Sequence, residues 1–215
     1  MSQPDLLAGT RVTTYIVAGH PRSGTSMMMH ALVQGGLEAA YKPGWDARAR
    51  NPNGYLQNPN GFYELSVEDQ LHPWFPMAHW GKLLKVQYVQ LVGLAPGRYR
   101  VVFMMRDPRE IRMSYEALGG ATAAHRIEWR SEEDYVPLMK RFMAAAAMRA
   151  DMELLEVWYP EVVAEARGTF DKIRAFGFPI DAARAAATID PALYRHRVVG
   201  PRADRAPSRE GTAAP

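Results

Sequence analysis

The sequence predicts an α/β fold: a mainly parallel central sheet flanked by helices in a three-layer sandwich. Three observations carry that prediction. An apolar, β-branched run at residues 15–18 leads into a glycine-bearing turn at 19–24 and a breaker-free stretch at 25–34, which reads as strand, loop and helix. Val101-Val102-Phe103-Met104-Met105 is apolar throughout, as in a strand covered on both faces. Strand-like and helix-like segments then alternate along the chain, the order that builds a parallel sheet with helical crossovers.

The elements follow in order. Residues 1–10 read as a flexible arm, 11–18 as the first strand and 25–34 as the first helix. Ser23 is an N-cap by residue type, and Gly35-Gly36 stops the helix. Residues 41–80 read as an insertion rich in Pro, Gly, Asn and aromatic residues. It contains a tandem echo, Asn51-Pro52-Asn53-Gly54-Tyr55 and Asn58-Pro59-Asn60-Gly61-Phe62. Each Asn-Pro-Asn-Gly is a tight turn, because proline sets φ and Asn-Gly accepts positive φ. Tyr41, Trp45, Tyr55, Phe62, Tyr63, Trp74, Phe75 and Trp80 either line an acceptor pocket or seal the insertion onto the core.

Residues 82–86 read as the second strand, 88–94 as a helix ended by Ala95-Pro96-Gly97, and 100–105 as the third strand. Asp107, Pro108 and Glu110 give N-cap, first residue and capping box for a helix over 108–118. A loop covers 119–130, Ser131 caps a long helix to about residue 151, and 154–158 is a fourth strand. Residues 160–176 are helical with Gly168 as the expected break, and Gly177-Phe178-Pro179 is a stop. A short Ala-rich helix at 181–188 precedes a tail, 200–215, whose Pro, Gly, Arg and Ala content predicts disorder.

A chain of 215 residues fits one domain, expected over 11–199. The absence of cysteine excludes a disulfide framework, a thiolate zinc site and a catalytic thiol, and it fits a cytoplasmic protein. Residues 1–11 lack the pattern of a signal peptide, and the longest apolar run, 142–148, is far short of the ~20 residues of a membrane span. Residues 195–215 hold five arginines (195, 197, 202, 205 and 209) against Asp204 and Glu210, which equals the whole net charge of +3. Residues 1–194 therefore balance to zero, and no nucleic-acid-binding face is indicated.

Strand, glycine loop and helix start together present backbone N–H groups and the positive helix end around one point, a cradle for a phosphate- or sulfate-like anion. The frame Gly19-His20-Pro21-Arg22-Ser23-Gly24-Thr25-Ser26 matches a nucleotide phosphate loop except that Thr25 stands at the lysine position. Arg22, inside the loop, is its nearest cation. A kinase or NTPase needs that lysine on its phosphates, so the usual triphosphate arrangement is not favoured. A second anion site is expected at Arg106, directly after the third strand, with Ser114 eight residues on. Open α/β sheets bind ligands along this carboxyl edge.

Gly19 to Ser26 resembles the 5′-phosphosulfate loop of sulfotransferases that use 3′-phosphoadenosine 5′-phosphosulfate (PAPS). Arg106-Asp107-Pro108-Arg109-Glu110-Ile111-Arg112-Met113-Ser114 resembles the 3′-phosphate motif of that family, with Arg and Ser at matching spacing. Tyr159-Pro160-Glu161-Val162-Val163 through Phe176-Gly177-Phe178-Pro179 is similar to the segment after the family's last core strand. The likeness covers residues 11–195 and is closest in kind to bacterial-type members: cytosolic members usually carry lysine where Arg22 stands, whereas Golgi-type and many bacterial members carry arginine. It implies a P-loop NTPase-like fold and metal-free, in-line transfer of a sulfuryl group from PAPS to a hydroxyl or amine of a small or aromatic acceptor, leaving PAP.

By motif position the resemblance gives Arg22, Ser23, Gly24, Thr25 and Ser26 to the 5′ phosphosulfate, and Arg106 and Ser114 to the 3′ phosphate. Met27 stands where some members stack tryptophan on adenine. Arg195 stands in for a C-terminal Arg-Lys-Gly motif. Arg22 can stabilise the bridging oxygen, and Lys85 can assist it. The base histidine of cytosolic members falls near Gln87. Three residues are candidates for the base here. Glu64 ends an Asn-Pro-x-Gly-aromatic-x-Glu run that resembles bacterial members, Glu38 follows the first helix as in related enzymes, and His20 lies in the loop itself. Glu64 as a plain cap of a helix beginning near Ser66, a phosphate-loop kinase or NTPase, and a non-catalytic nucleotide-binding relative are the competing readings.

Overall fold

The computed structural model describes residues 12–41, 58–65, 69–70, 75–117, 129 and 131–198. The expected arm (1–10), the tail (200–215), most of the 119–130 loop and much of the 41–80 insertion lie outside them.

Four strands form one parallel sheet: β1 (Thr14–Gly19), β2 (Leu83–Gln87), β3 (Tyr99–Met105) and β4 (Met152–Trp158), in the order β2-β1-β3-β4. The register sets Val17 beside Lys85 and Val102, and Gly19 beside Gln87 and Met104. Strand neighbours alternate between two cores, as the two-residue period of a strand requires. Ile16, Ala18, Val86, Val101, Phe103 and Met105 face one core, and Val17, Leu83, Val102, Met104 and Val157 face the other. This is why residues 101–105 are apolar without a break: all five are fully buried.

Helices cover both faces, giving the three layers. On the first face lie α2 (Pro108–Glu116), through Ile111 and Tyr115, and α3 (Glu132–Ala147), through Tyr135 and Met139. On the second lie α1 (Thr25–Gln34), α4 (Tyr159–Ala164), α5 (Ala166–Ala175) and α6 (Ala182–Ala186), through Met28, Val162, Phe170 and Ala185. Asp107 and Asp181 cap α2 and α6 through their side chains, and Ser131 caps α3 in a capping box with Asp134.

Some expectations are corrected. Residues 88–93 form a 3-10 turn, Tyr88–Gly93, instead of an α-helix. The break in the 160–176 helical stretch falls at Glu165, which leaves the helical region at φ −134° and ψ 53°. Gly168 stays inside α5, where an interior glycine costs only about 1 kcal/mol. Ser23 is not the cap of α1. Gly24 holds that position in a left-handed conformation, φ 99°, and a Cβ there would lie 2.2 Å from the ring of Tyr159. The helix itself spans Thr25–Gln34 as expected; only its cap differs, and the Ser23 hydroxyl is left over. Among the described residues no helix is long and apolar enough to cross a membrane.

Candidate anion-binding and transfer site

All four strands deliver a cavity-lining residue at the same edge. The loop after β1, Lys85 and Gln87 near the end of β2, Arg106 after β3 and Tyr159 after β4 all line one cavity of about 600 Å³. That volume lies within the range of small-molecule sites. β2 lies on one side of β1 and β3 on the other, the crossover point where open α/β sheets take ligands.

The loop wall is built around an unusual backbone. Arg22 is left-handed at φ 73°, a conformation that costs a non-glycine residue about 1 kcal/mol or more. Two bonds hold it there. Arg106 Nη1 donates to Arg22 O at 3.2 Å, and Arg22 Nε donates to Ser114 Oγ at 2.9 Å. The two expected anion sites are therefore adjacent and joined. The first turn of α1 carries no acidic residue, so its positive end stays available to an anion. Ser23 is completely buried, and its hydroxyl has no hydrogen-bond partner among the described residues. Ser23 itself is not among the residues that line the cavity. Thr25, Ser26 and Met27 line the cavity beside it.

Arg106 is more committed than its motif indicates. Its Nε donates to Glu110 Oε2 at 2.9 Å, and its Nη2 donates to His196 O at 3.0 Å. Its guanidinium lies 4.4 Å from the Tyr159 ring centre and 5.4 Å from that of Tyr194. Glu110, expected in a capping box, instead accepts from Arg106, from the Tyr194 hydroxyl and from Val198 N–H. A buried arginine draws the carboxylate away from the helix start.

The opposite wall centres on Lys85. Its Nζ donates to Ser26 Oγ (2.8 Å), Phe62 O (2.9 Å) and Glu64 Oε1 (2.8 Å). The stretch 58–65 reaches it through a tight turn in which Gly61 N–H donates to Asn58 O, the expected use of the second Asn-Pro-Asn-Gly. Tyr63 follows, left-handed at φ 56°, and turns its ring into the core beside Tyr41, 5.1 Å between ring centres. Its hydroxyl sits 2.9 Å from His30 Nδ1. Glu64, next in line, is on the cavity surface. The aromatics divide accordingly: Phe62 lines the cavity, while Tyr41, Tyr63 and Phe75 pack against the cores. Trp45, Tyr55 and Trp74 lie outside the described residues, as does Ser66.

Two base candidates are not brought to this site. Glu38 lies at the opposite, amino edge, where its carbonyl accepts from Leu83 at the start of β2. Its carboxylate pairs there with Lys82 and is 73% exposed. The sequence order after α1 says nothing about which sheet edge the chain has reached. His20 is buried among Tyr88, Tyr115, Trp129 and Tyr135, with Nδ1 on Pro21 O at 2.7 Å. Burial lowers its pKa to about 4, so it is a neutral packing group.

Four contributors escaped the sequence reading: Glu110 in its actual role, Tyr159, Tyr194 and His196. Tyr159 was findable by the rule that found Arg106, since it directly follows a strand. Burial raises its phenol pKa. Tyr194 and His196 come from an aperiodic segment and carried no signal. Arg195 and His196 line the cavity, and burial followed by the Arg106 charge lowers the His196 pKa.

No protein-family model matches the chain, and no curated protein matches it. Among solved structures the chain is similar to retinol dehydratase in complex with androsterone and inactive cofactor PAP, at 14% identity and a TM-score of 0.40. That match covers 84% of this chain and 64% of the other, so the chain spans less than two thirds of that protein's length.

Proposed function

We propose that the protein is a PAPS-dependent sulfotransferase acting on a hydroxyl or amine of a small acceptor. The observation that carries this reading is Lys85. Its ammonium bonds at once to Ser26, on the first turn of the anion-loop helix, and to Glu64 on the facing stretch. Group transfer of this type needs a base for the acceptor proton and a cation beside the leaving oxygen, both held in line. Glu64 is the carboxylate in reach of an acceptor, and Lys85 is the cation beside the cradle.

Four cations, Arg22, Lys85, Arg106 and Arg195, line the cavity with two carboxylates, Glu64 and Asp190. That excess suits a ligand with several anionic oxygens. The donor, when bound, supplies the sulfuryl group and a phosphate leaving group. Ser23, Gly24, Thr25 and Ser26 offer its 5′ end a hydroxyl, backbone N–H groups and a positive helix end. Ser114 with Arg195 serves the 3′ end, and Arg22, a loop residue bonded to Ser114, stands between the two ends. Arg106 supports the 3′ end from the wall, through Arg22 O. Met27 lines the region the resemblance gives to adenine. Thr25 in place of lysine disfavours a nucleotide kinase.

A thermal-shift panel with PAP against ATP plus Mg²⁺ tests the reading. At 100 times its Kd, PAP should stabilise the protein by about 2.7 kcal/mol, a rise of several degrees in Tm. Stabilisation by ATP–Mg²⁺ without stabilisation by PAP overturns it.

A further inference from the structure

The segment 190–198 contributes Asp190, Leu193, Arg195 and His196 to the cavity lining. Its regular structure is one short 3-10 turn, Pro191–Leu193, so its placement depends on side-chain ties. Those ties converge on one buried ion pair. Glu110 Oε1 accepts from the Tyr194 hydroxyl and from Val198 N–H, the latter at 3.2 Å. Glu110 Oε2 accepts from Arg106 Nε, and Arg106 Nη2 holds His196 O. The ties fall at residues 194, 196 and 198, and Arg195 between them reaches the cavity lining. The remaining arm of Arg106, Nη1, holds the left-handed carbonyl of Arg22.

We infer that Glu110 is a positioning residue that sets the two ligand-facing arginines, Arg22 and Arg195, on either side of the second anion end of the cavity. Glu110 is absent from the cavity lining and acts through Arg106 and Tyr194. One carboxylate thus fixes two segments that are far apart in sequence. A buried ion pair is weak evidence for stability, because desolvation offsets much of its Coulomb gain. Its demand for fixed partners suits it to setting geometry. Glu110 also neutralises Arg106, so the pair adds no net charge to the wall it builds. The naming of that ligand rests on the PAPS reading; the tie between Glu110 and the segment does not.

The full-length protein and its Tyr194→Phe and Glu110→Gln variants supply the test. Tyr194→Phe is the primary variant, since it removes one tie and keeps the ion pair. Native trypsin digestion, read by mass spectrometry for cuts after Arg195 and Arg197, measures release of the segment. Loss of a hydrogen bond to a carboxylate should speed those cuts about tenfold in Tyr194→Phe, and more in Glu110→Gln. Calorimetry with PAP and with adenosine 5′-phosphate then separates positioning from loosening. PAP, which carries the 3′ phosphate, should bind Tyr194→Phe about three- to tenfold more weakly, while adenosine 5′-phosphate changes by less than about twofold. Unchanged cleavage in both variants overturns the tie. Equal weakening of the two nucleotides overturns the positioning role, because general loosening would lower both. Failure of the wild type to bind PAP overturns the sulfotransferase reading, and the cleavage rates then decide the tie alone.

Discussion

Two cations stand on opposite walls of the cavity in different kinds of surroundings. The Arg106 side chain is 7% exposed and pairs with Glu110 at 4%. The Lys85 side chain is 12% exposed and pairs with Glu64 at 42%. Arg106 spends its donors on Glu110, Arg22 O and His196 O, and it faces two tyrosine rings. Lys85 holds three acceptors, two of them side chains on the cavity surface. A carboxylate that sets geometry is best sealed from water, whereas one that takes a proton from a substrate has to be reachable. The first wall is sealed in the manner of a scaffold, and the second is open in the manner that the proposed chemistry requires.

The largest expected effect tests that division through stability. Arg106→Ala leaves the Glu110 carboxylate buried without its counter-charge and should lose about 3–5 kcal/mol in urea unfolding. Lys85→Met exposes a carboxylate that is already half in water and should cost within about 1 kcal/mol. Equal losses would erase the difference between the walls.

Much of this was legible in the chain, for identifiable reasons. The parallel sheet was readable because Val101 to Met105 must satisfy two cores at once, which leaves no polar position. Arg106, Ser114 and the Gly19–Ser26 loop were readable because strand ends and glycine turns have sequence marks. Which of the cavity's cations is sealed was not readable, since it depends on Tyr194, 84 residues from Glu110, and on backbone groups of residues 196 and 198. Local chemistry pointed Glu110 to its own helix start, and a distant segment claimed it. Ser23 misled in the same way: a good cap by type, it yields the position to Gly24 and keeps a buried hydroxyl. Glu38 and His20 show the limit of proximity in sequence. One lies at the wrong sheet edge and the other on the wrong side of the loop backbone.

A smaller effect sharpens the working wall. If Lys85 stabilises charge on the leaving oxygen, Lys85→Met should lower kcat by about 10²–10³-fold, the scale for removing one transition-state donor. PAP affinity should fall much less, because Arg22, Ser23 and Arg195 remain. Steady-state kinetics with a phenolic or alcoholic acceptor, set beside calorimetry with PAP, reads the split. A loss confined to PAP affinity, with kcat kept, would make Lys85 a binding group and move the chemistry to Arg22.

The smallest effect separates the walls by pH. His20 belongs to the scaffold side, boxed by rings from both α2 and α3, and its folded pKa of about 4 lies below the ordinary 6.5. The unfolded chain therefore binds its proton first as acid is added. The contribution of a neutral His20 to stability is complete above pH 6.5, declines as pH falls from 6.5 to about 4, and is constant below that. Within that window the slope from this residue approaches about 1.4 kcal/mol per pH unit. His20→Gln cannot titrate, so its unfolding free energy should fall more gently than that of wild type between pH 6.5 and 4.5, whatever the packing loss at neutral pH. Urea midpoints for both proteins across that range give the two slopes. Parallel slopes would mean that His20 reaches water before it is protonated, and that the loop side of the cavity is not the sealed scaffold that Arg106 and Glu110 indicate.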